Sequence, residues 1–204
     1  MTGLPTQLRI AEVGFLRILA VVLCVSTLAV AAVGCGSSGG SSKTGAKPDA
    51  WAAEVCGALR DWAQGLKSSS TSLNAQLATA TSIEAAKAKF IAFLDTAAKT
   101  ADVMVARVRK EGPPAVDKGE ALQSDLEAAL GRFGTSFRHA STKARKLPTN
   151  NRQAFSSGVT SLGKDVVTEL AATGDVFTKL GERFKDKDLS NATKNQPACQ
   201  RVSG

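Results

Sequence analysis

Cys35 is the residue whose type and position in the sequence point most directly to chemistry. It follows a 16-residue apolar run, residues 18–33, and opens a tract of glycine and serine. The run is shorter than the roughly 20 apolar residues that span a bilayer, and Arg9 and Arg17 precede it. We therefore predict that residues 1–34 are a secretory signal peptide that is cleaved.

The four residues at the predicted cleavage site, Ala32-Val33-Gly34-Cys35, resemble the lipobox of bacterial lipoproteins, with alanine where leucine is usual. In that family the cysteine receives a diacylglycerol group and becomes the first residue of the mature chain. The resemblance implies a lipid on Cys35 that anchors the protein to the cell membrane from outside the cytoplasm. Residues 35–48 would then form a flexible Gly/Ser tether.

A second resemblance covers the start of the mature domain. The segment Trp51-Ala-Ala-Glu-Val-Cys56-Gly-Ala-Leu59-Arg-Asp-Trp62, with a lone cysteine near the C-terminus, is similar to small secreted lipoproteins of actinobacteria. Those families are largely uncharacterised. The resemblance therefore implies an exported, lipidated, helical protein and no particular activity.

The remaining cysteines are predicted to form a disulfide. Cys24 leaves with the signal peptide and the thiol of Cys35 is acylated, so Cys56 and Cys199 remain in an oxidising compartment. Closing this long loop would stabilise the fold by roughly 4 to 5 kcal/mol in the chain-entropy model. The alternative is two inert thiols, one packed beside Val55 and one in a mobile tail.

Side chains suited to acid–base, nucleophilic or metal chemistry are sparse in the rest of the chain. His139 is the single histidine and is expected on the surface. Asp125 and Glu127 are two positions apart and point to different sides of a helix. The glycines at 34, 36 and 39 match a dinucleotide-binding fingerprint, but no strand precedes them and no helix starts on them. We expect no enzyme activity, no metal and no cofactor.

Apolar residues after position 48 recur every three or four positions, which indicates amphipathic helices. Tyrosine is absent and aromatic content is 5%, which favours helices packed through small side chains. Pro48-Asp49, Ser82, Gly112-Pro113-Pro114, Pro148 and Asn150 mark the predicted starts and stops, and the end of the first helix is left between residues 66 and 80. The core face predicted for the fourth helix consists of Phe155, Val159, Leu162, Val166, Leu170, Phe177, Leu180 and Phe184.

These segments predict an all-α fold, an up-down-up-down four-helix bundle over residues 49–187 with helices about 45 Å long. Residues 188–204 are predicted to be a tail that is disulfide-bonded back to the first helix. An even number of antiparallel helices places both ends of the bundle's chain at the same end, so Cys199 can reach Cys56.

Charge is distributed unevenly over this bundle. The whole chain carries +8, and loss of Arg9, Arg17 and Glu12 leaves +7. The end farthest from the N-terminus collects eight cations and Glu84, a net charge of 8 − 1 = +7. The eight comprise Lys67, Lys87, Lys89 and a predicted binding site, named here the basic cap, which consists of Arg138, Lys143, Arg145, Lys146 and Arg152.

Two functional hypotheses follow. In the first, the protein is a lipid-anchored cell-envelope interaction module whose basic cap binds an anionic cell-wall polymer or an acidic protein. In the second, it is a carrier or sensor of a small apolar ligand held in the bundle core near Phe90, Phe137, Phe155 and the two tryptophans. Nucleic acid is not expected as a partner, because the cap has no exposed aromatic neighbours on which bases stack. The cap has a bland alternative, in which its cations complement the dipole of the third helix and solubilise the surface.

Overall fold

The structure is a computed structural model that describes residues 44–202. The predicted signal peptide, Cys35 and the first part of the predicted tether lie outside the described residues. Within the described range the protein is all-α, and its four long helices form the predicted up-down-up-down bundle. The helices are α1 Pro48–Ala78, α2 Ile83–Glu111, α3 Gly119–Ala144, α4 Arg152–Arg183, α5 Lys187–Asn195 and α6 Pro197–Val202.

Local sequence explains most helix boundaries. The hydroxyl of Ser82 accepts a hydrogen bond from the Ala85 N–H at 3.1 Å and starts α2. Gly112, at φ 78°, ends it in a conformation that glycine adopts without strain. The side chain of Asn151 starts α4 by accepting from the Ala154 N–H at 2.9 Å, one residue later than the predicted cap at Asn150.

The helix α1 starts at the predicted position, but the Asp49 carboxylate, which was expected to cap it, does not. Lys47 occupies the N-cap position without a side-chain hydrogen bond, and Pro48 begins the helix. Asp49 therefore lies within the first turn, where its negative charge interacts favourably with the helix dipole. Its side chain does not cap the helix. From there α1 continues to Ala78 through the serine-rich stretch at residues 68–72.

The core lies between the helices, and α4 contributes least to it. The most extensive contact joins α2 to α3, while α1 packs on α2 and α4 packs on α3. Met104 of α2 and Leu130 of α3 are almost completely buried. On α4 the buried side chains are Leu162, Val166, Leu170, Thr173 and Leu180, whereas Phe155, Val159 and Phe177 of the predicted core face are partly buried.

The predicted tail folds into α5 and α6, which both pack on α1. The Asp186 carboxylate caps α5 by accepting from the backbone N–H groups of Asp188 and Leu189. The Cys56–Cys199 disulfide is present, with a Cα–Cα distance of 4.9 Å, and it joins α6 to α1. The predicted pairing is confirmed, although no helix was expected in this segment.

The last residues of the predicted tether belong to the fold. Ala46 donates to the Pro113 carbonyl at 2.8 Å and accepts from the Ala115 N–H at 2.7 Å, forming a parallel bridge with the α2–α3 connection. Gly45 has φ +146°, and a Cβ there would lie 2.4 Å from the Pro113 oxygen. Only glycine fits this approach, so the chain is fixed to the bundle two residues before α1.

Candidate functional site

The bundle has two different ends. The proximal end contains the start of α1, the α2–α3 connection and the disulfide. The distal end contains the connections between α1 and α2, residues 79–82, and between α3 and α4, residues 145–151. All five residues of the basic cap lie in or near the distal end, as the topology predicts.

Three cap cations are paired with aspartates of neighbouring helices. Arg138 donates to both carboxylate oxygens of Asp102, at 3.0 and 2.9 Å. Lys143 lies 2.9 Å from Asp165. Arg145 lies 2.7 Å from Asp95, which also accepts from the Ser141 hydroxyl at 2.6 Å.

The other two cap cations are exposed and form no ion pair with a described residue. Lys146 lies in the α3–α4 connection and Arg152 begins α4 directly after it. This connection is held in place from three sides. The Lys87 ammonium donates to the Leu147 carbonyl at 2.7 Å. Thr149 hydrogen-bonds to Glu84, and the Leu147 side chain packs against Gly158, where a Cβ would lie 2.3 Å from Leu147 Cδ2. Lys146 and Arg152, the two unpaired cations of the basic cap, are therefore held at a well-ordered connection.

The ion pairs correct the predicted charge of the distal end. The sequence count set Glu84 alone against eight cations, but Asp95, Asp102 and Asp165 also face them. Three of the eight cations are therefore paired, and Lys67, Lys87, Lys89, Lys146 and Arg152 form no ion pair with a described residue. The distal end is still basic, and Lys146 and Arg152 are the two residues of the basic cap that form no ion pair with a described residue.

Two distal groups have shifted pKa values. Hydrogen bonds from its own backbone N–H and from the Thr149 and Ser82 hydroxyls lower the pKa of Glu84. The hydrogen bond to Asp165 raises the pKa of Lys143. Both groups are therefore held in their charged forms more firmly than free side chains.

The proximal end contains a buried polar network that sequence analysis did not identify. The indole Nε1–H of Trp51 donates to Gln123 Oε1 at 2.9 Å. The Gln123 amide then donates to the Val108 carbonyl and to Glu127, each at 2.9 Å, and Glu127 accepts from Arg109 at 2.7 Å. The network joins α1, α2 and α3, and it satisfies a carbonyl at the C-terminal end of α2 that has lost its helical partner.

Four aromatic rings from α1, α3 and α4 form a cluster. Trp62 of α1 stacks on Phe133 of α3, with centroids 4.8 Å apart and planes at 16°, and meets Phe137 edge-on at 6.4 Å. Phe177 of α4 lies 6.1 Å from Phe133. Trp51, which the ligand hypothesis grouped with these rings, is instead part of the proximal network.

Other kinds of site are not found among residues 44–202. No group of three histidine, cysteine, aspartate or glutamate side chains in that range is arranged to hold a metal ion, and His139 is exposed. None of the helices described is both long and apolar enough to cross a membrane. Comparisons with protein-family models, with curated proteins and with solved structures find no significant match.

Proposed function

We propose that this protein is a lipid-anchored, non-enzymatic interaction module of the cell envelope, and that its distal end binds an anionic polymer of the cell wall. An acidic protein surface is the other partner that the same charges favour. The N-terminal pattern ending in Cys35 and the Cys56–Cys199 disulfide both support an oxidising location outside the cytoplasm.

The observation that carries the proposal is that two cations within the basic cap are unpaired. Lys146 and Arg152 are exposed, form no ion pair with a described residue and stand on a connection that Lys87 and Glu84 hold in place. A polyanion would bind them without first breaking a salt bridge. The neighbouring pairs of Arg138, Lys143 and Arg145 are exposed, so each is weak enough to exchange its aspartate for a phosphate or carboxylate of the partner.

The position of these charges fits a tethered protein. The chain joins the bundle at residues 45–46, at the proximal end. The distal end is one helix length away, about 45 Å at 1.5 Å per residue. A lipid on Cys35 would therefore leave the basic cap pointing away from the membrane.

Binding to isolated cell-wall material from the producing organism tests the basic cap. We expect retention that falls steeply between about 0.05 and 0.5 M salt, because exposed charges are screened over that range. Replacing both Lys146 and Arg152 with glutamine should weaken retention at least tenfold. The matched control replaces Lys110 and Lys185, two exposed cations of the proximal end, and should change retention less than twofold. Equal effects of the two double variants would rule out the cap.

The lipid anchor is tested independently by the intact mass of the membrane-extracted protein. This mass reports the first residue, the acyl chains and the two hydrogens lost on disulfide formation. A chain that begins at Cys35 with an attached diacylglycerol supports the anchor. An unmodified chain that begins at Met1 contradicts it, as would an unchanged membrane fraction for Cys35→Ala.

A further inference from the structure

The indole Nε1 of Trp62 is buried and has no hydrogen-bond partner. Every other buried side-chain nitrogen or oxygen within residues 44–202 has a partner. Trp51, the other tryptophan, donates to Gln123 at 2.9 Å. A buried donor without an acceptor destabilises a fold by about 1 to 3 kcal/mol, and such donors are rare in native proteins. The indole N–H of Trp62 is therefore a donor whose acceptor is missing.

The surroundings of Trp62 supply aromatic rings and no acceptor. Its ring stacks on Phe133 and meets the Phe137 ring edge-on, and Phe133 also contacts Phe177. A phenylalanine side chain has no polar atom, so these neighbours leave the indole N–H unsatisfied. The cluster has the composition of a small-molecule site, which is mostly apolar with one oriented polar group.

The cluster lies where the bundle is least tightly closed. Phe133, on α3, contacts both Trp62 of α1 and Phe177 of α4. The helix α4 has extensive contacts with α3, and α1 has extensive contacts with α2, α5 and α6. Between α1 and α4 there are no extensive contacts. Trp62 and Phe177 are both partly exposed, whereas Phe133 and Phe137 are buried. Opening the space between α1 and α4 would therefore displace two partly exposed rings and leave the α2–α3 interface intact.

We propose that the seam between α1 and α4 binds a small apolar molecule with one hydrogen-bond acceptor, a carbonyl or ether oxygen, which accepts from Trp62 Nε1. An acceptor is required because the indole nitrogen only donates. An apolar body is required because the surrounding rings offer dispersion and stacking contacts and no counter-charge. This site is separate from the basic cap, and its failure would leave the proposed function untouched.

Two probes of nearly the same shape test the acceptor. Acetophenone carries a carbonyl oxygen where α-methylstyrene carries a CH₂ group. The full chain contains two tryptophans, so its ¹H–¹⁵N spectrum has two indole resonances. We expect acetophenone to move the Trp62 indole proton downfield in a saturable manner, to leave the Trp51 resonance in place, and to bind about 2- to 12-fold more tightly than α-methylstyrene. Equal affinities, or no saturable shift, would overturn the proposal.

Variants separate the donor from the shape of the site. Trp62→Phe keeps an aromatic ring but removes the indole N–H, and should make the affinities for the two probes equal. Trp51→Phe removes the indole whose N–H is already bonded to Gln123, and should leave the preference for acetophenone unchanged. A preference that survives in Trp62→Phe contradicts the assignment of the donor, and the wild-type comparison of probes stands even where a variant folds poorly.

Discussion

Exposed ion pairs occur at both ends of the bundle, such as Arg107–Glu54 near the proximal end and Lys143–Asp165 near the distal end, but the proximal end adds covalent and buried interactions to them. At the proximal end the chain is held by a disulfide, by two backbone hydrogen bonds at Ala46 and by the buried network around Gln123. At the distal end the helices are joined by exposed ion pairs and by single hydrogen bonds such as that from Lys87. Covalent and buried interactions are insensitive to salt, whereas exposed ion pairs are screened. A larger share of the interactions at the distal end than at the proximal end is therefore of the kind that salt weakens.

Removal of the disulfide should produce the largest effect. Replacing Cys56 and Cys199 together with serine opens a loop of 143 residues and should lower the free energy of unfolding by about 4 to 5 kcal/mol. Chemical denaturation of the double variant, compared with the wild type with and without reductant, measures this loss. A loss below about 1 kcal/mol would mean that the proximal end does not depend on its covalent bond.

Breaking the buried network should be the next largest effect. Gln123→Leu leaves the Trp51 indole N–H and the Val108 carbonyl without partners, and should destabilise the fold by about 2 to 3 kcal/mol. Gln76→Leu on α1 is the control, because the Gln76 side chain is exposed and hydrogen-bonds to the exposed Ser72 hydroxyl on the same helix. Its effect on the denaturation midpoint should be small. Similar midpoints for the two variants would contradict a structural role for the network.

Two glycines of α3 sharpen the comparison within one helix. A Cβ at Gly119 would lie 2.0 Å from the Pro114 carbonyl oxygen, whereas a Cβ at Gly131 meets no atom within 4 Å. Gly119→Ala should therefore destabilise the proximal α2–α3 connection by about 1 to 3 kcal/mol. Gly131→Ala should stabilise the helix by about 0.5 to 1 kcal/mol. Thermal unfolding of both variants checks the opposite signs, and a shift in the same direction for both would contradict the close approach at Gly119.

The distal ion pairs should contribute little to stability. Arg145→Gln removes the pair with Asp95 and should lower the free energy of unfolding by about 1 kcal/mol or less. The difference from the wild type should shrink further in high salt. A larger loss, unaffected by salt, would show that the distal end is as firmly held as the proximal one.

The smallest expected effect depends on pH. The pKa of Glu84 is lowered in the folded protein, so its contribution to stability is fully present above the pKa of the unfolded carboxyl and is lost as pH falls through the lowered value. The stability of Glu84→Gln should therefore approach that of the wild type at acidic pH. A difference that is constant across the acidic range would show that Glu84 does not act through its charge.

Sequence patterns predicted the elements but not how side chains meet between them. Gly112-Pro113-Pro114 and Pro148 are local signals, so the ends of α2 and α3 were predictable. The pairing of Arg138 and Arg145 with Asp102 and Asp95 depends on the rotation of α2 and α3 about their axes, which no local pattern contains.

The same limit applies to the proximal network and to the tail. Gln123 stands beside Leu122 in the apolar stripe, and nothing in its spacing indicates that Trp51 will donate to it. The tail has few apolar residues, and its helix α5 depends on burying Leu189 and Ala192 against the rest of the protein. Local propensity alone therefore gives no firm prediction of α5.

The position of the disulfide determines what a protease can release. Cys56 and Cys199 flank all three connections between the long helices, including the basic distal one, where trypsin-like enzymes find Arg145 and Lys146 exposed. One cut anywhere between the two cysteines leaves two pieces that are still joined by the sulfur bridge. Cleavage in the distal connection would thus cut the chain without separating the two pieces. A cut before Cys56 would release the bundle from its N-terminal segment.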